Sequence, residues 1–323
     1  MAGVLVAGGA GFLGTHLCRR LLDSGHDVTC MDDLSTGSLE NIEALLDNPR
    51  FRFIHQDIIA PIDHDAERIY NLACPASPRF YQSDPVRTLK TSVIGSLNLL
   101  ELARRNGARI LLASTSEVYG DARISPQPET YWGNVNPVGV RACYDEGKRC
   151  AETLFSDYRR QYGLDTRIAR IFNTYGPGMR ADDGRVVGTF VAQALAGDPL
   201  TVFGDGRQTR SFCHVDDTID ALARVMDASD DAAGPFNIGS PVEIRILDLA
   251  AMVLKLTGSR SQVVEKSLPA DDPKQRCPDI SLMIERFGWQ PRTDLETGLS
   301  KMIDSYRNAA AHRRRLPDAS LTV

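Results

Sequence analysis

Tyr144 and Lys148, in the run Arg141-Ala-Cys-Tyr-Asp-Glu-Gly-Lys148, stand four residues apart, so on a helix a phenol and an ammonium share one face. Such a pair can move a proton. A tyrosine titrating near ~10 is a poor base at neutral pH, and a neighbouring cation favours its phenolate. The spacing alone also fits a surface tyrosine beside a lysine, so other residues must decide. One set is Ile110-Leu-Leu-Ala-Ser-Thr115-Ser116-Glu117, an apolar strand ending in hydroxyls and a carboxylate. Strand ends are where a doubly wound sheet places its ligands.

The elements that position such groups begin at the N-terminus. Val4 to Ala7 reads as a buried strand, and Gly8-Gly-Ala-Gly11-Phe12-Leu13-Gly14 turns directly into an amphipathic segment ending near Gly25. Gly8 and Gly11 let backbone approach a pyrophosphate, Gly14 lets helix and strand pack closely, and the helix start supplies aligned amides for an anion. The next strand, Asp27 to Met31, runs into Asp32 and Asp33, where an acid takes the ribose hydroxyls of an adenosine. A carboxylate there repels a 2′-phosphate, so the cofactor expected is NAD and not NADP.

Apolar strands and helical segments alternate to about residue 175, through Phe51 to Ile54, Arg68 to Leu72, the helix after Asp84-Pro85, the strand before Ser114, and Thr166 to Ile171. That order predicts an α/β fold with a Rossmann-type, doubly wound parallel sheet. From Gly176 onward, prolines and glycines break the chain into shorter elements. The expectation is an NAD-binding domain over 1–175 and a smaller C-terminal substrate-binding lobe over 176–323.

Composition excludes several classes. The 323 residues, 42% hydrophobic, suffice for a large core, and 37 basic against 42 acidic residues give a net charge of −5. That balance argues against a nucleic-acid or anionic-membrane surface, so local cations must meet any anionic ligand. The seven cysteines, without a C-x-x-C pair, read as reduced thiols, and Cys143 reads as packing. His16, His26, His55, His64, His214 and His312 lack metal-ligand spacing, so no metal is expected. No apolar stretch reaches the ~20 residues of a membrane span. The first strand starts within a few residues of Met1, so no signal peptide is expected and a cytoplasmic location is. The basic tail after Ala309 reads as a frayed terminus.

The spacing G-x-x-G-x-x-G followed by Tyr-x-x-x-Lys resembles the extended short-chain dehydrogenase/reductase family of nucleotide-sugar enzymes, over nearly the whole chain. Within it, the pair after Thr115 separates subfamilies: 4,6-dehydratases carry Asp-Glu and 4-epimerases uncharged residues. Ser116-Glu117 is similar to the UDP-glucuronate decarboxylase (UDP-xylose synthase) subfamily. So are Ala73-Cys-Pro-Ala-Ser-Pro78, Tyr131-Trp-Gly-Asn-Val-Asn-Pro137, Arg170-Ile-Phe-Asn-Thr-Tyr-Gly-Pro177, Gly204-Asp-Gly-Arg-Gln-Thr-Arg210 and the stretch around Arg276. The resemblance implies chain crossing between lobes and a homodimer, with Ala151, Leu154, Phe155 and Tyr158 forming either core or a paired-helix surface.

For NAD the resemblance implies Thr36, Gly37, Asp57, Ile58, Leu72, Thr91, Thr174 and Arg185, beside Gly8, Gly11, Phe12, Leu13, Gly14, Asp32, Asp33, Tyr144 and Lys148. For UDP-glucuronate it implies Tyr81, Lys90, Asn173, Phe203 on the uracil, Arg210 on the diphosphate and Arg276 at the glucuronate end. Tyr144 is then the base at the C4 hydroxyl, Lys148 lowers its pKa, Thr115 orients the C4 oxygen, and Ser116 and Arg276 position the sugar. Glu117, or a water it orders, assists proton delivery to C5. Val140, Gly178 and Cys277 depart from the subfamily pattern. Rival readings are a 4-epimerase or 4,6-dehydratase, disfavoured by Ser116-Glu117 with Arg276, and a non-catalytic dinucleotide sensor, disfavoured by Thr115, Tyr144 and Lys148 occurring together.

Overall fold

A computed structural model describes residues 3–229, 232–268 and 275–315. In chain order the strands are β1 (Gly3–Ala7), β2 (Asp27–Asp32), β3 (Phe51–His55), β4 (Arg68–Asn71), β5 (Arg109–Thr115), β6 (Thr166–Ile171), β7 (Thr174–Tyr175), β8 (Leu200–Phe203), β9 (Thr209–Ser211), β10 (Cys213–His214), β11 (Phe236–Ile238), β12 (Glu243–Arg245), β13 (Val263–Lys266) and β14 (Gln275–Arg276). The α-helices are α1 (Phe12–Asp23), α2 (Leu39–Ile42), α3 (Pro78–Tyr81), α4 (Pro85–Lys90), α5 (Ser96–Asn106), α6 (Ala142–Tyr162), α7 (Val186–Ala196), α8 (Val215–Asp227), α9 (Ile246–Thr257), α10 (Ser281–Phe287) and α11 (Leu295–Arg315).

Seven strands make one sheet in the order β11-β6-β5-β4-β1-β2-β3, every pair parallel. The strands are apolar on both faces because helices cover both. In β1, Val4 and Val6 join a core with Leu17 and Leu21 of α1 and Leu222 and Val225 of α8. Leu5 and Ala7 join the opposite core with Leu99, Leu100 and Ala103 of α5 and Phe155 of α6. Each fully buried aliphatic of this kind contributes ~1.5–3 kcal/mol, which leaves the loops at the strand ends free to serve ligands.

The order of connections reverses between β1 and β4, where Ala7 pairs with both Met31 and Asn71. A reversal of that kind opens a crevice at the carboxyl ends of the strands. Over it lies a second lobe, in which α7, α9 and α11 pack through Phe190, Val191, Leu249, Val253, Leu299 and Met302 against Leu200 and Val202 of β8. Residues beyond 175 serve both layers, because β11 borders β6 in the main sheet and α8 covers its face. The chain therefore crosses back after its first excursion.

Two helical features bear on the site. Between α4 and α5 the helix widens into a π-turn over Thr91–Gly95, and a Cβ on Gly95 would lie 2.3 Å from Ile58 Cδ1. The wide turn brings Thr91 to the crevice wall. Of the apolar positions after Lys148, Ala151, Phe155 and Tyr158 are buried in the core beneath the sheet. They are not a free helix face, and exposed Val86, Leu89, Ile94 and Leu97 on the α4 to α5 segment provide one instead.

Candidate active site

The crevice is a cleft of about 770 Å³ between the strand ends and the second lobe. Its floor is the glycine turn. Gly8 has a φ of +78°, and a Cβ there would lie 2.8 Å from Ala73 N. A Cβ on Gly14 would lie 2.1 Å from the Gly8 carbonyl oxygen, so nothing larger than glycine fits without moving the turn. No side chain caps α1, leaving the amides at its start for an anion. Asp32 accepts from the amides of Ala10 (3.0 Å) and Leu34 (2.8 Å), tying the end of β2 to the glycine turn, and burial pushes its carboxyl pKa up. These residues fit a dinucleotide.

Along the wall, Arg87 Nη2 donates to Asp33 Oδ2 (2.7 Å) and Asp57 Oδ2 (3.1 Å), joining α4 to the ends of β2 and β3. Leu72, Ile58, Thr36, Thr91, Thr174 and Arg185 also line the cleft, and Arg185 is paired with Asp183 (2.5 Å). Across the mouth, Arg79 Nη1 donates to the Asp182 carbonyl (2.8 Å), Arg180 lies over the Phe80 ring (5.0 Å), and Arg180 Nη1 donates to the Thr36 carbonyl (3.4 Å). This clasp joins the two lobes.

At the chemical end, Tyr144 stacks on Tyr81 with ring centroids 5.0 Å apart and planes 3° off parallel, and it hydrogen-bonds Thr115. Arg141 lies over the Tyr81 ring, 5.9 Å from its centroid. Glu117 Oε2 accepts from Arg141 Nη2 (2.6 Å) and Arg276 Nη2 (3.2 Å), and these guanidinium groups pull its carboxyl down to about 2 against the cost of burial. Arg276 also donates to the Gly120 carbonyl. Thus a residue of β14, far along the chain, meets the end of β5 within the same cleft as Tyr144.

A model of the NAD dependent epimerase/dehydratase family matches residues 4–239. The chain belongs to that family. Among proteins similar to this family member is UDP-glucuronic acid decarboxylase 3 of Arabidopsis thaliana, 54% identical over 94% of this chain and 89% of the relative. A crystal structure of UDP-glucose 4-epimerase with UDP-glucose, from Thermotoga maritima, superposes with a TM-score of 0.87 at 30% identity, over 95% of this chain and 99% of the other. A dTDP-glucose 4,6-dehydratase from Streptomyces venezuelae with NAD bound gives 0.88 at 27% identity, over 96% and 98%. The chain is accordingly an NAD-using epimerase/dehydratase-family enzyme.

In this family member the cleft gathers Thr115, Ser116, Glu117, Tyr144, Lys148 and Arg276, together with Tyr81, Asn173, Phe203 and Arg210. Two expected residues lie elsewhere. Lys90 is exposed at the end of α4 and does not line the cleft, because the helix turns that face to solvent. Gly37 sits behind the wall, where a Cβ would meet Asp32 Oδ1 at 2.9 Å. Lys148 lies one helical turn from Tyr144 on α6, and both line the cleft. Lys148 Nζ donates to the Ala113 carbonyl (2.9 Å), and burial lowers its own pKa. Burial pushes the Tyr144 phenol well above its ordinary value, and the Thr115 hydrogen bond opposes this only in part.

Sequence reasoning gave no role to Arg87, Arg141 or Gln208, all on the cleft wall. Arg141 had a usable signal, lying one helical turn before Tyr144. The stack of Tyr81 on Tyr144 had none, since the residues are 63 positions apart. Cys143 is a packing residue whose thiol donates to the Tyr81 carbonyl (3.5 Å) and is pushed up by burial. Of the departures, Val140 is exposed, Cys277 is buried with its thiol pushed up to about 11, and Gly178 lines the cleft at a φ of +82°. Among the described residues no group of His, Cys, Asp and Glu is placed to hold a metal, and no helix is long and apolar enough to cross a membrane.

Proposed function

We propose that the enzyme converts UDP-glucuronate to UDP-xylose through a UDP-4-keto intermediate, with loss of carbon dioxide. The observation that carries this reading is the meeting of Arg276 with Glu117 beside Thr115 and Tyr144: an acid-handling cation sits next to a proton-transfer pair. The decarboxylase name of a relative 54% identical over 94% of the chain supports it independently.

Gly8, Gly11, Gly14 and Asp32 would hold NAD, which when bound would supply a hydride acceptor for C4. Thr115 holds the C4 oxygen, and Tyr144, once ionised, takes the C4 hydroxyl proton as C4 is oxidised and gives it back to the C4 oxygen when C4 is reduced again. Oxidation at C4 makes the sugar a β-keto acid. When the C5–C6 bond breaks, its electron pair passes to the C4 oxygen, where Tyr144 and Thr115 are hydrogen-bond partners, and carbon dioxide leaves. Glu117, whose carboxyl two arginines pull down against the cost of burial, holds those arginines and orders the water that delivers a solvent proton to C5 as carbon dioxide leaves. Asn173 and Arg210 line the cleft at the substrate end, and a guanidinium suits a diphosphate. Phe203, about two-fifths exposed at the edge, offers a face to a base.

Mass spectrometry after incubation with UDP-glucuronate, and in parallel UDP-glucose, tests the reading. Loss of carbon dioxide with formation of UDP-xylose is expected, whereas an isomer points to an epimerase and water loss from UDP-glucose to a dehydratase. We also propose a homodimer through the exposed apolar face of the α4 to α5 segment, supported by Val86, Leu89, Ile94 and Leu97. Light scattering that gave the mass of one chain would refute it.

A further inference from the structure

Resting on the decarboxylase reading, we propose that Gln127 is the positioning residue for Arg276: it pins the strap over 277–279 to the loop after β5, and so sets where the guanidinium meets the acid end of the sugar. The argument starts from burial. Arg123 to Pro126 are exposed, whereas the next residue, Gln127, is 0% exposed. A side-chain amide taken wholly out of water is costly unless both its ends find partners. They do: Oε1 accepts from the Cys277 amide (2.9 Å), and Nε2 donates to the Ile124 carbonyl (2.6 Å).

The main chain of the same residue holds the strap as well. Gln127 N donates to the Cys277 carbonyl (2.8 Å), and the Gln127 carbonyl accepts from Asp279 N (3.0 Å). Pro278, between them, has no amide to give. Both backbone donors that follow Arg276 along the strap therefore end on one residue, 150 positions away from Cys277. Asn237 of β11, equally buried, completes the anchor. Its Nδ2 donates to the carbonyls of Gln127 (2.8 Å) and Asp279 (3.0 Å), and its Oδ1 accepts from the Tyr119 hydroxyl (2.8 Å).

Where the strap begins supplies the second argument. β14 pairs with β9, Arg276 opposite Arg210, and the Arg276 carbonyl accepts from the Ser211 hydroxyl (3.3 Å). Arg276 thus stands where the chain changes partners, from β9 at the residue itself to Gln127 from the next residue on. Its side chain is buried and reaches Glu117 Oε2 (3.2 Å) and the Gly120 carbonyl. A long side chain fixed at its tip tolerates little drift at its root, and a displacement of about 1 Å at a reacting site can cost on the order of 100-fold. Gln127 itself does not line the cleft, so replacing it removes no contact with a ligand.

The test is calorimetric binding of UDP-glucuronate, and of UDP, which lacks the sugar, to NAD-loaded protein in a Tyr144→Phe background, where chemistry does not consume the ligand. Gln127→Met keeps the length of the side chain and deletes both of its hydrogen bonds. It is expected to weaken UDP-glucuronate roughly 10-fold, the low end for losing a charge-assisted hydrogen bond, and UDP less than about threefold. With Arg276→Ala added, the same substitution is expected to cost UDP-glucuronate less than about twofold, because the residue it acts through is gone. Losses equal for the two ligands, losses undiminished without Arg276, or no loss at all overturn the proposal. Where Gln127→Met does not fold, Gln127→Asn, too short to span both partners, is read by the same two comparisons. Failure of the underlying reading is distinguished by the unmodified enzyme, which would then leave UDP-glucuronate unchanged in mass while the dependence on Arg276 still decides the role of Gln127.

Discussion

Replacing Glu117 with glutamine removes the anion that two buried guanidinium groups share. Its carboxyl lies at about 2 instead of an ordinary 4.5. At ~1.4 kcal/mol for each tenfold change in proton affinity, that difference is about 3 kcal/mol of folding stability. A depressed carboxyl contributes stability that is fully present above pH 4.5 and is lost as the pH falls toward 2. Glu117→Gln should therefore cost about 3 kcal/mol in urea unfolding at pH 7, somewhat less as Asp145, relieved of its neighbour's charge, ionises more completely beside Arg141. At pH 3 over half of the difference should be gone, because the unfolded-state carboxyl is by then protonated while the native one is still mostly ionised. A loss under about 1 kcal/mol at pH 7, or one undiminished at pH 3, would refute the assignment of Glu117 as the clamped anion.

Tyr144→Phe should lower turnover ~10²- to 10⁴-fold while the NAD content released on denaturation stays unchanged. Because burial raises the phenol's pKa, kcat/KM of the unmodified enzyme should climb with pH through neutrality, and a profile falling above pH 6 would reject Tyr144 as the base. Gly14→Ala places a Cβ 2.1 Å from the Gly8 carbonyl oxygen and should yield protein destabilised by ~1–3 kcal/mol and purified without NAD. Lys90→Ala should leave KM for UDP-glucuronate within about twofold, since the side chain is exposed outside the cleft; a larger change would return Lys90 to the binding site.

The doubly wound sheet was legible because β1 is apolar at every position and the glycine turn follows it directly, a pattern with local causes. Residues at strand ends, such as Asp32 and Thr115, were legible for the same reason: the sheet fixes where its ends point. Lys90 lies outside the cleft at the exposed end of α4, a short helix whose apolar Val86 and Leu89 are themselves exposed, so its residue pattern does not tell which side faces solvent. The behaviour of Lys148 and Tyr144 was beyond reach for another reason. Spacing reports proximity, whereas acidity follows burial and neighbouring charge, and Cys74 and Tyr81, which act on Tyr144, arrive from distant segments. The clamp on Glu117 joins three remote stretches, and only one of its two arginines stood in a recognisable motif.

The clasp of Arg79 and Phe80 against Arg180 and Asp182 spans the mouth of the cleft with contacts from both lobes. A dinucleotide behind such a door behaves as a captive tool and not as a traded currency. Turnover then draws nothing from the surrounding pool of oxidised and reduced nucleotide, and is indifferent to its ratio. On the proposed cycle the hazard moves elsewhere: a keto sugar that escaped early would leave one enzyme molecule holding reduced cofactor.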